Sequence, residues 1–168
     1  MEKRNLRIAF TGPESSGKTT LSRWLAETYT LPYIEEYARG YLSDKPSYSQ
    51  KDLDLMAEGQ FSMWPTSGCI ADTEMHVFEI WSAYKYKNVS QVIKSLLEKQ
   101  RFDHYFLCAP DIPWQADPLR ENPLNRDVLF DLYLESLTGK NRSFSIVRGN
   151  IKARQEEIQA KILNLLNA

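Results

Sequence analysis

The chain has little cysteine and little histidine, two of each in 168 residues. Cys69 and Cys108 both fall inside short apolar runs that read as buried strands. This is the setting of small reduced core residues rather than of a disulfide framework, and their spacing fits no metal site. His76 and His104 stand apart from each other and from the cysteines, which excludes a zinc centre of the usual ligand pattern; packing is the expected role of both. Charge of either sign is not in surplus: 21 basic residues meet 22 acidic ones for a net charge of −1. Binding to a polyanion runs on phosphate neutralisation, so nucleic acid is not expected as the main partner. No run approaches the roughly 18 apolar residues of a membrane span. The start, Met1-Glu2-Lys3-Arg4-Asn5, leads to an apolar stretch ending at Phe10 that is too short for a secretory core. A cytoplasmic location without a membrane partner is the expectation. There is no internal repeat, low-complexity tract or linker, and the length suits one domain over residues 1–168.

Against this background one feature is prominent. Residues 12–19 read Gly12-Pro13-Glu14-Ser15-Ser16-Gly17-Lys18-Thr19, a complete G-x-x-x-x-G-K-[ST] pattern. Leu6-Arg7-Ile8-Ala9-Phe10 precedes it as a strand. Leu21, Trp24, Leu25 and Thr28 follow at i, i+3, i+4 and i+7, the stripe of an amphipathic helix. Strand, glycine loop and helix together form a phosphate-binding device: successive backbone N–H groups and the positive helix end surround phosphate oxygens. Lys18 can reach the β- and γ-phosphates and the Thr19 hydroxyl can ligate Mg²⁺. Glu14, Ser15, Ser16, Gly17 and Thr20 complete the expected ATP-binding set with Gly12.

The rest of the chain alternates strand-like and helix-like runs, which predicts an α/β domain with a parallel sheet of about five strands between helical layers. Expected strands are Leu31–Ile34, Cys69–Asp72, Tyr105–Ala109 and Ser143–Val147. Expected helices cover 51–64, 74–87, a segment with Val89, Val92, Ile93, Leu96 and Leu97 on one face, 124–138 stopped at Gly139, and a closing helix carrying Ile158, Ile162, Leu165 and Leu166. Ligands of parallel α/β sheets bind at the carboxyl ends of strands. The second strand delivers Glu36 and Arg39, the third Asp72, the fourth a proline-stiffened loop from Pro110 to about Pro123, and the fifth Arg148-Gly149-Asn150.

Asp72 has the position of a carboxylate aimed at a nucleotide-bound Mg²⁺. Asp72 or Thr73 would also serve as a helix N-cap; beside a complete phosphate loop the metal-ligand reading is preferred. Glu36 and Arg39, three apart, would share a helix face, either as a solvated ion pair or with Glu36 accepting from a sugar hydroxyl and Arg39 facing phosphate. The 110–123 loop reads as a surface connector or as a lid that excludes water and carries cations to the transferred group. Arg120 and Arg126 fit the cationic role. Trp114 could stack on a flat base, and Asp117 is a further substrate-binding candidate. Trp81, Tyr84 and Tyr86 could pack or line an acceptor pocket, with packing preferred.

With these residues placed, the chain resembles the ribosylnicotinamide kinase domain of NadR-type proteins and their stand-alone relatives. The likeness rests on Gly12 to Leu21, Glu36-Tyr37-Ala38-Arg39, Ala71-Asp72-Thr73-Glu74 and the run from Trp114 to Asp117-Pro118-Leu119-Arg120. It implies a nucleoside-kinase-like P-loop fold and transfer of the ATP γ-phosphoryl group to the 5′-hydroxyl of nicotinamide riboside. It places ATP phosphates on the 12–20 loop, Mg²⁺ near Thr19 and Asp72, substrate near Glu36, Asp72 and Trp114, and lid cations at Arg120 and Arg126. Asp72 and Glu36 compete as acceptor of the hydroxyl proton, with Asp72 preferred because an acid beside the metal can serve both purposes. NadR-type proteins often carry an adenylyltransferase domain ahead of the kinase. No H-x-G-H-type motif occurs here, so mononucleotide adenylylation is not expected. The rivals are a kinase for another hydroxylated metabolite and a nucleotide-operated switch, the latter without the Asn-Lys-x-Asp run of GTP-specific proteins.

Overall fold

The computed structural model describes residues 5–168; the start up to Arg4, part of the segment read above as too short for secretion, lies outside the described residues. In chain order the elements are β1 (Arg7–Thr11), α1 (Lys18–Tyr29), β2 (Tyr33–Ile34), α2 (Tyr37–Leu42), α3 (Gln50–Met63), β3 (Cys69–Asp72), α4 (Met75–Tyr86), α5 (Gln91–Lys99), β4 (His104–Cys108), α6 (Arg126–Gly139), β5 (Phe144–Val147) and α7 (Ile151–Asn167). The five strands are all parallel in the order β2-β3-β1-β4-β5. The chain first places β2 at the outer edge and β3 between it and β1, then crosses to the other side of β1 for β4 and β5. This opens a crevice at the carboxyl end of the central strand, where the glycine loop lies.

Alternation along β1 assigns its two faces. Ile8 and Phe10 join Leu21 and Leu25 of α1 and Ile158 and Ile162 of α7, while Ala9 turns to Val77 and Ile80 of α4 and Phe130 and Leu137 of α6. Both faces are covered, so β4 is buried at all five residues. A third cluster joins α2, α3, α4 and α5 through Ala38, Leu53, Met56, Phe78 and Ile93. It supports the site from beside the sheet edge.

Several expected boundaries shift. The second strand shortens to two residues because the chain leaves α1 through Thr30 in the left-handed region, with the Leu31 N–H closing back on Ala26. Thr28 is exposed, and its hydroxyl bonds the Trp24 carbonyl; α1 buries Ser22 and Ala26 with Leu21 and Leu25 instead. Val89 precedes the Ser90 cap of α5, and Gly139 is the last residue of α6 rather than its stop. Both cysteines are free and buried, and burial pushes the Cys108 thiol up to about 12. His104 is clamped by the Ser143 and Ser145 hydroxyls at 2.9 Å each, and burial lowers it to about 4. His76 Nδ1 meets Ser136 Oγ at 2.8 Å.

Gly12 is held at φ +128°, and a Cβ there would lie 2.7 Å from the Cys108 carbonyl oxygen. The first turn of the loop can therefore pass against β4 only without a side chain. Gly12→Ala should lower stability by about 1–3 kcal/mol from backbone strain alone, before the clash is added. Chemical denaturation checks this, and a variant as stable as the wild type would contradict it.

Candidate active site

The glycine loop leads from β1 into α1, so that its backbone N–H groups and the start of the helix face one cleft. Gly12, Gly17, Lys18, Thr19 and Thr20 all line that cleft. Gly17 stands at φ +91°, and Ser15 is also left-handed at φ 54°. The Ser16 hydroxyl ties the loop across itself to the Pro13 carbonyl at 2.7 Å. Lys18 Nζ donates to the Gly12 and Pro13 carbonyls at 2.8 Å each, which parks the ammonium where phosphate oxygens would accept from it.

Across the loop, Asp72 ends β3. Its Oδ2 accepts from Thr19 Oγ1 at 2.6 Å and from Tyr33 Oη at 3.1 Å. Its Oδ1 is buried and has no hydrogen-bond partner among the described residues. Burial, followed by the Asp72 charge, pushes the Tyr33 phenol up to about 12. Asp72 does not cap the following helix: Glu74 does, accepting from the His76 N–H at 2.8 Å. Between them Thr73 is fully buried at φ 92°. That conformation costs a β-branched residue about 1–3 kcal/mol and is the kind of strain that collects at functional sites.

These features test the expected Mg²⁺. An orphaned, buried carboxylate oxygen beside a threonine hydroxyl suits a hard cation that keeps several waters and is held mainly by phosphates. Among the described residues there is no group of three or more His, Cys, Asp or Glu that could hold a metal ion.

Glu36 sits at the N-cap of α2 and lines both the main cleft and a side cavity. Burial, reinforced by Asp72 and opposed by Lys18 and Arg39, raises its carboxyl above the ordinary range. Arg39 approaches Glu36 only to 3.9 Å and pairs more closely with Asp117, at 2.9 Å. A backbone bond from the Leu119 N–H, then Arg39, lowers the Asp117 carboxyl. Asp117 therefore joins α2 to the long β4–α6 loop and lines neither cavity.

That loop lies over the cleft and is fastened to the glycine loop. The Glu14 carboxylate accepts from the Glu121 N–H at 3.1 Å and from the Asn122 N–H at 2.9 Å. Ser15 Oγ accepts from the Gln115 N–H at 2.9 Å. Arg120 lines the cleft, with its guanidinium on the Gln115 carbonyl and 3.5 Å from Ser15 Oγ. Arg126 is placed differently from a free lid cation: it donates to the Ser15 and Ile112 carbonyls at 3.0 and 2.9 Å and lies over the Trp114 ring. Trp114, expected near a base, does not line the cleft.

The cleft, about 380 Å³ in all, runs from the glycine loop to a cavity walled by Leu42, Val77, Ile80, Trp81, Tyr84 and Tyr133. Trp81 and Tyr84 thus serve the cavity as well as the core, whereas the Tyr86 hydroxyl bonds the Tyr48 carbonyl. At its rim Tyr48 Oη accepts from Trp81 Nε1 at 2.9 Å and donates to Glu121 at 2.8 Å; Lys85 holds the same carboxylate at 3.0 Å. Tyr133 and Lys85 were missed in the sequence. No local pattern separates them from core or surface residues, and only the packing of α4 and α6 brings them together.

A phosphate loop at the switch point of a five-stranded parallel sheet, with a carboxylate on the next strand, defines a P-loop nucleotide-binding protein with the fold of the nucleoside kinases. Residues 7–154 match the family model described as an AAA domain, and the chain belongs to that family. It is 25% identical over 169 residues to the trifunctional NAD biosynthesis/regulator protein NadR of Escherichia coli strain K12, covering 93% of this chain and 40% of that protein. The chain therefore spans well under half the length of this curated relative. A crystal structure of NadR protein in complex with NR superposes with a TM-score of 0.78 at 20% identity over 93% of this chain and 50% of that one. Deoxyadenosine kinase from M. mycoides, with products bound, superposes with a TM-score of 0.64 at 16% identity, over 95% of this chain and 100% of that one.

Proposed function

We propose that the protein is a Mg²⁺/ATP-dependent nucleoside kinase that phosphorylates the 5′-hydroxyl of nicotinamide riboside. The observation that carries this reading is the position of Glu36. It stands where the glycine loop, the Thr19–Asp72 pair and the aromatic cavity meet, so a sugar hydroxyl there would have a phosphoryl group on one side and its base in the cavity on the other.

In this reading ATP lays its phosphates along residues 12–20, and Lys18 leaves the Gly12 and Pro13 carbonyls for phosphate oxygens. Thr19 and Asp72 hold Mg²⁺, which when bound neutralises phosphate charge. Glu36 takes the proton of the attacking hydroxyl as the new O–P bond forms and the bond to ADP breaks. Asp72 suits this role less well than expected, because its Oδ2 is already engaged by Thr19 and Tyr33. Arg120 offers positive charge to the transferred group, and the 110–123 loop acts as a lid that excludes water. Arg39 and Asp117 join that lid to α2, and Arg126 fixes the glycine loop from behind. Catalysis is then positioning and charge stabilisation rather than covalent chemistry by the protein.

The deep wall is mostly aromatic and aliphatic, with the Tyr84 and Tyr133 hydroxyls as its polar groups and Trp81 Nε1 already spent on Tyr48. Such a wall favours a flat ring with few base-edge hydrogen bonds, which suits a nicotinamide ring better than a Watson–Crick edge. A panel of nicotinamide riboside, adenosine, deoxyadenosine, cytidine and uridine tests this choice. The expected result is kcat/KM for nicotinamide riboside above the others by about tenfold or more, equivalent to about 1.4 kcal/mol of transition-state preference. A higher value for any other nucleoside would overturn the substrate and keep the kinase.

A further inference from the structure

The largest fully buried side chain among the described residues is a charged one, Arg154, with 1% of its surface exposed. Burying a guanidinium is costly unless every donor direction is matched. Here the match is close to complete. Nε donates to the Gly149 carbonyl at 2.8 Å, Nη1 to the Ser16 carbonyl at 2.6 Å and Nη2 to the Ala109 carbonyl at 2.9 Å, and Nη2 also meets the Asp111 carboxylate. The other Asp111 oxygen accepts from the Gly149 N–H at 2.7 Å. One side chain in the first turn of α7 thereby joins the glycine loop to the segments that follow β4 and β5.

The bond to Ser16 has a directional consequence. No peptide bond in the described chain is cis, and in a trans peptide the C=O and the following N–H point in opposite directions. With the Ser16 oxygen held toward Arg154, the Gly17 N–H is turned the other way, into the cleft that Ser16 and Gly17 line. The preceding peptide is treated alike: Arg126 holds the Ser15 oxygen at 3.0 Å, which turns the Ser16 N–H away from it. Without the Arg154 clamp the Ser16–Gly17 peptide would be free to flip, because Gly17 at φ +91° tolerates several backbone conformations.

We propose that Arg154 is a positioning residue for nucleotide binding: from outside the cleft it locks the Ser16–Gly17 peptide so that the Gly17 N–H is presented to a nucleoside triphosphate. This rests on the reading of residues 12–20 as a triphosphate site. The guanidinium fork is essential, since a lysine ammonium keeps the charge but cannot span three carbonyls and a carboxylate.

The test is Arg154→Lys, read by ATP-analogue affinity in a fluorescence titration and by steady-state kinetics. The expected result is a loss of ATP affinity of about ten- to hundredfold, the scale of one charge-assisted bond and the donor it orients. KM for ATP rises in parallel, while kcat at saturating ATP and KM for the nucleoside stay unchanged, because the lost contact serves ground state and transition state alike. A merely structural role would lower the melting temperature and the active fraction while leaving KM for ATP intact, and that result overturns the proposal. Asp111→Asn keeps the three carbonyl bonds and removes the counter-charge. It should weaken ATP in the same direction by a smaller factor, and it decides the matter if Arg154→Lys does not fold. Unchanged ATP affinity in the folded variants overturns the clamp alone, whereas a wild-type protein that binds no ATP overturns the triphosphate reading and the clamp with it.

Discussion

Glu36→Gln should lower kcat by about 10²–10⁴-fold, the usual contribution of a positioned base, with ATP affinity unchanged. The glutamine keeps the shape and the N-cap position but cannot take a proton. The wild-type pH profile carries the same information. Burial and Asp72 raise the Glu36 carboxyl above its ordinary 4.5, and the base works only when ionised. The acid limb of kcat/KM should therefore lie above 4.5 and should be absent from the residual activity of Glu36→Gln. Stability should move the opposite way. A carboxylate whose folded pKa is raised binds more protons in the native than in the unfolded chain, so its contribution falls as pH rises from the unfolded value through the folded one. At neutral pH Glu36→Gln should melt at or above the wild-type temperature. A slow variant that also melts lower would point to damage rather than to a lost base, and normal turnover would remove Glu36 from the chemistry.

Asp72→Asn is the second large effect. The substitution leaves a side chain that can still meet Thr19 and Tyr33, so the end of β3 and the strained Thr73 turn should persist. What is lost is the negative charge on the buried, unpartnered Oδ1. Turnover should fall by at least about 10²-fold, the scale of removing one electrostatic partner of the transition state, and the Mg²⁺ concentration for half-maximal rate should rise. ATP binding should largely survive, since the loop amides and Lys18 are untouched. Near-normal turnover at ordinary Mg²⁺ would contradict the assignment of Asp72 to the metal.

The parts of this site that could be read in the sequence are those in which a single backbone segment carries the chemistry. The glycine loop is eight consecutive residues with a strand before and a helix behind, and every one of its functional positions is local. Asp72 was legible because a short apolar run delivers it to the carboxyl end of a buried strand, and β3 falls where the run predicts it. The five parallel strands followed from the alternation of apolar runs with helical stripes. Trp81, Tyr84 and Tyr133 were not legible in this way. A residue facing a cavity between two helices has the same hydrophobic period as one facing the core, and the difference appears only when α4 and α6 leave a gap. Arg154 was hidden for a related reason. Its partners are backbone carbonyls from segments 138 and 45 residues away, and carbonyls carry no side-chain signature. Trp114 and Arg126 show the converse. Their types suggested substrate contacts, yet the β4–α6 loop stacks one on the other and spends the guanidinium on the loop that it backs.

ADP release by the purified protein with Mg²⁺·ATP, in the presence and absence of nicotinamide riboside and with Lys18→Ala as control, tests the central claim most directly. The account predicts strong stimulation by the nucleoside, one mononucleotide formed per ADP, and loss of both in Lys18→Ala. Slow ADP release that ignores every nucleoside offered would contradict it and would favour a nucleotide-operated switch on the same fold.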